Sequence, residues 1–163
     1  MALADFIPSE GQRRIAAAIT AAERHTTGEI CVHVTPRCRG NVMKRAAKTF
    51  DRLHLYSTKR RNAVLIFVAY QDRKFAILGD TGINNVVPEG FWNQEVEELT
   101  RYLKAGRPVD GLCEVISHMG EHLSQYFPGE RDDENELSNE VTFDDLDEED
   151  EPEVHSNDYG NME

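Results

Sequence analysis

Two acidic residues, Glu29 and Asp80, stand where predicted strands meet glycine turns, and such a position allows carboxylates to bind a metal ion. Glu29 follows Thr27-Gly28 at the start of one strand, and Asp80 follows Gly79 at the end of another. If the second strand runs antiparallel to the first, both residues lie at one end of the sheet. Carboxylate oxygens beside tight turns suit hard cations such as Ca²⁺ or Mg²⁺. The alternative is that Glu29 and Asp80 cap turns and helix ends.

Several other side chains have metal-binding or nucleophilic chemistry, but their context favours structural roles. Cys31 and His33 alternate along a predicted strand without the CxxC spacing of a zinc site, which indicates buried strand residues. His118 and His122 are four residues apart on a predicted helix but outside an HExxH motif, so we interpret them as a polar helix face. Cys113 is interpreted as a partly buried, inert thiol. One acidic run resembles an oxygen-ligand loop but lacks the glycine of an EF-hand: Asp132, Asp133, Asn135 and Glu136.

Basic side chains cluster on the helix predicted at 41–54 and in the connector that follows it. The pattern is not the interleaving of basic and aromatic residues that typifies single-strand binding, so we expect no nucleic acid as a partner. The acidic end of the chain can instead contact this cluster around Lys44, Arg45 and Arg61, in a way that salt would weaken. The cluster comprises Lys44, Arg45, Lys48, Arg52, Lys59, Arg60 and Arg61.

The charge of the chain is divided between two regions. Of the formal net charge of −12, residues 130–163 carry −15, with sixteen acidic side chains and one basic, and residues 1–129 carry +3. The low-complexity acidic run at 144–151 has few apolar residues to bury, which predicts disorder. We therefore predict an α/β domain over residues 1–141 and an acidic, disordered tail over residues 142–163.

The chain also has the features of a cytoplasmic protein. No stretch approaches the roughly 20 apolar residues of a membrane span, and the N-terminus lacks the pattern of a secretory signal. The three cysteines, an odd number, indicate free thiols in a reducing compartment.

Hydrophobic spacing places Glu29 and Asp80 in a mixed sheet. The unbroken apolar run Ala63–Ala69 predicts a buried strand, which a short polar turn joins to a strand at 75–78 as a hairpin. With the strand at Glu29–Thr35 and the helix at 41–54, it forms a right-handed βαβ unit with parallel strands. Further helices begin near Ser9 and cover 88–104 and 109–126. The prediction is a three-layer α/β/α sandwich whose small mixed sheet, a βαβ unit plus an antiparallel hairpin, is covered by about four helices.

Short motifs of apolar, glycine and acidic residues follow one another in a defined order. They are Arg14-Ile15 through Ala22-Glu23, Thr27-Gly28-Glu29-Ile30, Arg61-Asn62-Ala63-Val64-Leu65-Ile66, Gly79-Asp80-Thr81-Gly82-Ile83, Phe91-Trp92, and Phe127-Pro128 followed by Asn135-Glu136-Leu137. In this order and spacing they resemble the TPM-domain family, the domain of thylakoid-lumen and photosystem II repair phosphatase-like proteins. The resemblance, to a soluble stand-alone member, spans roughly residues 6–141.

The resemblance implies a three-layer α/β/α sandwich with an acidic divalent-metal site, commonly for calcium, at one end of the sheet. Carried onto this chain, it makes Glu29 and Asp80 the candidate ligands, with Ca²⁺ as the expected ion and Mg²⁺ as the alternative. The chain differs from membrane-anchored members, because we expect neither a signal peptide nor a transmembrane helix. It also reads Gly79-Asp80-Thr81-Gly82 where many members have Gly-Tyr-Gly.

Two functional hypotheses follow. The favoured one is a metal-binding interaction or assembly module with an unknown protein partner and without catalysis, because GxSxG, P-loop and GxGxxG motifs are all absent. The alternative is a metal-dependent phosphatase or nucleotidase whose catalytic residues are unknown. In that case Glu29 and Asp80 hold an ion that activates water, and Arg61 binds the phosphate.

Overall fold

The computed structural model describes residues 2–129 and 137–144, which form a four-stranded sheet with helices on both faces. Two short 3₁₀ helices, Glu23–His25 and Leu55–Ser57, lie between the main elements. In chain order the main elements are α1 (Leu3–Phe6), α2 (Ser9–Ala22), β1 (Glu29–Thr35), α3 (Val42–Arg52), β2 (Ala63–Ala69), β3 (Lys74–Gly79), α4 (Thr81–Asn84), α5 (Asn93–Lys104), α6 (Pro108–Tyr126) and β4 (Thr142–Phe143).

The strands lie in the order β3-β2-β1-β4. β1 runs parallel to β2 and to β4, and β2 pairs with β3 as an antiparallel hairpin. The predicted mixed sheet is therefore confirmed, with β4 as an additional edge strand. The two residues of β4 pair with His33 and Val34 of β1, so the described chain continues past the predicted domain boundary at residue 141.

Helices cover both faces of the sheet, since β1 and β2 are buried at all seven of their positions. Alternate residues such as Ile30 and Val64 face a core shared with α2, α5 and α6. The other set, including Cys31 and Leu65, packs against α3. This is the predicted three-layer α/β/α sandwich.

The structure differs from the sequence prediction at several element ends. The helix predicted at 88–104 begins only at Asn93, because Pro88 and Gly90 interrupt the chain and Gly90 adopts a left-handed φ of 78°. The short helices α1 and α4 and the strand β4 were not predicted. The proposed ligand loop at 132–136 and the predicted tail beyond residue 144 lie outside the described residues.

Candidate functional site

Glu29 and Asp80 lie at the same end of the sheet, with β2 between them. Glu29 is in register with Ala63, and the Asp80 amide donates to the Ala63 carbonyl oxygen over 2.9 Å. Two strand spacings, roughly 10 Å, therefore separate their backbones. Both side chains are buried. Within residues 2–129 and 137–144, the two carboxylates do not belong to a common group of three or more metal-type ligands.

Asp80 is held by Arg61 in a bidentate ion pair. The Arg61 Nε donates to Oδ2 over 2.8 Å and Nη2 donates to Oδ1 over 2.9 Å. Oδ1 also accepts a 2.7 Å hydrogen bond from the Thr81 amide, which caps α4. A Cβ on Gly82 would collide with the carbonyl oxygens of Arg60 and Arg61, so glycine is needed for this close approach. The motif around Asp80 thus joins α4 to the 60–61 loop.

Glu29 belongs to a pair of buried acids near the start of β1. Its Oε1 accepts a 2.7 Å hydrogen bond from the Leu137 amide, and Glu23 Oε2 accepts one of 2.8 Å from the Ile30 amide. Burial, together with these two carboxylates, raises the pKa of the Cys31 thiol to about 12. Cys31 is therefore the buried strand residue that the sequence predicted, and its thiol stays protonated, whereas Glu23 was missed.

Three side chains of metal-ligand type meet between α5 and α6. The ligand atoms of Glu98, Glu114 and His118 all lie within 4.8 Å of one another. His118 Nδ1 is 2.7 Å from Glu98 Oε1, and this hydrogen bond raises the pKa of His118. Glu98 is buried, His118 is intermediate and Glu114 is exposed, so the group opens to solvent. An imidazole with two carboxylates suits Zn²⁺, Mn²⁺ or Fe²⁺, whereas Ca²⁺ prefers oxygen ligands alone.

A second histidine–carboxylate pair lies one turn farther along the same helix interface. His122 Nδ1 is 2.5 Å from Glu95 Oε2, although the two atoms are poorly aligned for a hydrogen bond. Burial raises the pKa of the fully enclosed Glu95, and the charge of His122 only partly opposes this effect. The ring of Phe91 lies 5.5 Å from the His122 ring. Glu95 is thus a buried acid whose principal partner is a histidine.

His118 and His122, which the sequence analysis interpreted as a polar helix face, each contact a carboxylate on α5 that the sequence analysis did not anticipate. The signal that could have revealed this lies in the spacing. Glu95 and Glu98 are three residues apart on α5, and His118 and His122 are four residues apart on α6. Such pairs form stripes on single helix faces, and helices joined by a short loop tend to pack antiparallel, which brings the stripes together.

A third cluster lies at the outer edge of β1, where β4 brings Asp144 onto the sheet. His33 is buried between two residues of this segment, with Nδ1 2.7 Å from Thr142 Oγ1 and Nε2 3.0 Å from Asp144 Oδ2. Arg52 and Arg45 of α3 reach the same carboxylate, at 3.0 and 3.6 Å. Burial opposes ionisation of Asp144, but His33 and Arg52 outweigh burial and lower its pKa. The prediction that His33 is a buried strand residue is confirmed.

Sequence and fold both match those of one known family. The family model of the TPM domain matches residues 1–122. The chain belongs to the TPM-domain family. This TPM domain is similar to the BA42 protein from the psychrophilic bacterium Bizionia argentinensis sp. nov., whose structure was solved by NMR. The two chains are 37% identical, the match covers 88% of this chain and 99% of the other, and the TM-score is 0.82.

No match was found among curated proteins. The matched residues of this TPM domain include Glu29, Asp80 and the α5–α6 group, whereas Asp144 lies outside them. In the described part of the chain, no helix has both the length and the apolar character needed to cross a membrane.

Proposed function

We propose that this TPM domain is a non-catalytic interaction module that binds a divalent metal ion between α5 and α6. The observation that carries the proposal is the group of Glu98, Glu114 and His118, whose ligand atoms lie within 4.8 Å of one another. Donors at this separation can reach one ion at about 2.0–2.2 Å after small side-chain movements. Because Glu114 is exposed, water or a side chain from a partner can supply the remaining ligands.

The second position that we propose for an ion lies at Glu29 and Asp80. We expect this ion to be calcium, with magnesium as the alternative. The shared end of the sheet supports this position, and Glu23 adds a further buried carboxylate near Glu29. The ion pair of Arg61 with Asp80 opposes it, because an ion there would have to replace Arg61 as the counter-charge. We therefore rank this position below the α5–α6 group.

Calorimetric titration of the full chain with Ca²⁺, Mg²⁺, Mn²⁺ and Zn²⁺, after treatment with a chelator, separates the two positions. We expect Mn²⁺ or Zn²⁺ to bind at a single site. Removing a ligand in Glu98→Gln or His118→Asn should weaken that binding by at least about tenfold. Glu97→Gln, which changes an exposed acid of α5 outside the group, is the matched control and should bind like the wild type.

Binding that is lost in Glu29→Gln and Asp80→Asn but survives in His118→Asn would instead locate the ion at the sheet end. If none of the four ions binds at millimolar concentration, the proposal is wrong. Amide NMR shifts on titration identify the position independently of these variants.

The wild type and the Asp80→Asn variant also test the alternative of phosphoester hydrolysis. Arg61, which the sequence suggested as the phosphate-binding residue, makes two hydrogen bonds to Asp80, and this contact argues against that role. Release of phosphate from p-nitrophenyl phosphate by the metal-loaded wild type, with loss of activity in Asp80→Asn, would favour a hydrolase over an interaction module.

The interaction part of the proposal rests on charge complementarity. Asp144, the first residue of the acidic run, contacts Arg45 and Arg52 of the basic cluster. We extend this contact to a tail that covers the cluster around Lys44, Arg45 and Arg61 until a protein partner displaces it. Amide NMR should then show the tail becoming more mobile at high salt, and equal mobility at both salt concentrations would contradict the contact. All three cysteines are free, which supports a cytoplasmic location.

A further inference from the structure

A cleft of about 620 Å³ opens at the opposite end of the sheet from Glu29 and Asp80. Its walls are formed by the turn between β2 and β3, by α1, by the last turn of α5 and by the start of α6. Clefts of roughly 300–1,000 Å³ are typical of small-molecule sites. None of the metal-site candidates described above lines it.

One part of the cleft lining is aromatic and apolar. Phe6 and Tyr70 stack with their ring centroids 5.1 Å apart, and Phe75 and Leu103 line the same cleft. Phe6 and Tyr70 are buried, whereas Phe75 is partly accessible. This surface can hold one aromatic ring or a short aliphatic chain.

Two cationic side chains on the cleft wall are available to bind a ligand. The side chains of Arg73 and Lys104 are exposed, and neither side chain forms a hydrogen bond or an ion pair with the described part of the chain. Lys74, by contrast, donates from Nζ to the carbonyl oxygens of Cys38 and Gly40 and so fixes a neighbouring loop. Asp5 is the acidic residue among the cleft-lining side chains, so the lining has an excess of positive charge.

The backbone of Arg73 gives a second, independent observation. Arg73 has a φ of 57° at the last position of the hairpin turn. Glycine or asparagine normally occupies such left-handed positions, because a Cβ makes them unfavourable. An arginine at this position is therefore less favourable for the turn than glycine would be. A residue in an unfavourable backbone conformation is a reason to look for a function of its side chain.

We propose that this cleft binds a small amphipathic anion. Its aromatic or aliphatic body would lie against Phe6, Tyr70 and Phe75, and its carboxylate or phosphate head would lie between Arg73 and Lys104. The positive end of the α6 dipole, which begins at Pro108 in the cleft wall, favours the same charge. The site is distinct from the proposed metal group, because Lys104 lies six residues along α5 from Glu98, or about 9 Å.

Amide NMR of the full chain, with chelator present, tests the proposal. Phenyl phosphate and phenylacetate share a phenyl ring but differ in the anionic head. The compound that binds more tightly identifies the preferred head. Saturable shifts should centre on residues 70–75 and 103–108. Inorganic phosphate lacks the body and benzyl alcohol lacks the charge, so each should bind about tenfold more weakly. Inorganic phosphate loses apolar burial, and benzyl alcohol loses about one charge-assisted contact.

Two variants and a matched control test whether Arg73 and Lys104 bind the anionic head of the ligand. Arg73→Gly and Lys104→Gln should each weaken binding about tenfold. Arg73→Gly should at the same time leave the melting temperature unchanged or raise it, because glycine fits the φ of this turn. Arg101→Gln removes an exposed cation of α5 that does not line the cleft and should bind like the wild type.

The proposal is overturned if Arg73→Gly and Lys104→Gln bind like the wild type, or if Arg101→Gln weakens binding equally. It is also overturned if benzyl alcohol binds as tightly as the anions, or if the shifts lie outside the cleft.

Discussion

The α5–α6 interface and the outer edge of β1 both bury a carboxylate against a histidine, yet the two carboxylates respond to burial in opposite ways. Burial raises the pKa of Glu95, in spite of the nearby His122. Burial acts on Asp144 as well, but His33 and Arg52 outweigh it and lower the pKa. Two carboxylates with enclosed side chains and a histidine neighbour thus have pKa values shifted in opposite directions.

The presence of arginine explains this difference. Asp144 contacts Arg52 and Arg45, whose guanidinium groups remain charged at every physiological pH. The cations near Glu95 are histidines, which lose their charge as the pH rises. A carboxylate beside arginine is therefore compensated permanently. In the described part of the chain Glu98 likewise pairs with a histidine, His118, and not with arginine, and for this reason we favour α5 and α6 for the proposed metal binding.

Asp144→Ala should cause the largest loss of stability. It removes the carboxylate that contacts buried His33 and is the counter-charge of two arginines, and it weakens the contact of β4 with the sheet. Breaking such a buried pair from one side typically costs about 3–5 kcal/mol, and we expect about 3 kcal/mol because Arg52 can turn towards solvent. Urea denaturation measures the change. Asp110→Ala, which removes a more exposed partner of Arg14, is the control, and an equal loss there would remove the distinction between the clusters.

Gly111→Ala should separate α5 from α6 and so test the metal group directly. A Cβ at Gly111 would collide with the Tyr102 side chain across the interface. We expect a loss of about 2 kcal/mol, within the range for overpacking, and weaker Mn²⁺ or Zn²⁺ binding. Gly120→Ala is the matched control, since its Cβ would meet the Ala22 carbonyl oxygen at 2.6 Å on the α2 side of the same helix. If both variants lost metal binding equally, general loosening of α6 would explain the result.

The fold could be predicted because its strongest signals are local. The bounds of β1 and β2 match the predicted strands at Glu29–Thr35 and Ala63–Ala69, and α3 lies within the helix predicted at 41–54. The strand β4 could not be predicted, because its pairing depends on His33, more than 100 residues earlier in the chain. The composition after Thr142 indicates only an acidic, solvated segment.

The candidate site was harder to predict than the fold, because hydrophobic periodicity records burial and not the meeting of polar groups. The spacing of His118 and His122 was visible, but their carboxylate partners lie on another helix. Glu29 and Asp80 lie at one end of the sheet, as predicted, but β2 separates them, and their role as metal ligands stays a prediction. Nothing in the local sequence showed that Arg61 would bind Asp80 on both oxygens.

The pH dependence of stability should have opposite signs at the two clusters. The folded pKa of Glu95 is raised, so the folded state binds more protons than the unfolded state between the two pKa values, and stability falls as the pH rises through that window. Glu95→Gln should remove this fall and leave a flatter profile towards neutral pH. Urea midpoints measured from acid to neutral pH test it, and an unchanged profile would contradict the role of Glu95.

The contribution of Asp144 has the other sign. Its folded pKa is lowered, so its stabilisation is complete above the pKa of the unfolded chain and is lost as the pH falls through the folded value. Asp144→Ala should therefore lose stability mainly at neutral pH and approach the wild type in acid. A difference between the two proteins that did not change with pH would mean that packing of β4, and not the charge, supplies the stabilisation.

Arg13→Gln should change the free energy of unfolding least, and it is the reference for the comparison. Arg13 and Glu10 form an ion pair on α2, but their side chains are 70% and 72% exposed. Water and salt screen such a pair, so its loss should change the free energy of unfolding by less than about 0.5 kcal/mol. Urea denaturation of Arg13→Gln and Asp144→Ala side by side measures the contrast. If the two losses were similar, proximity of opposite charges would suffice, and burial beside arginine would not explain the behaviour of Asp144.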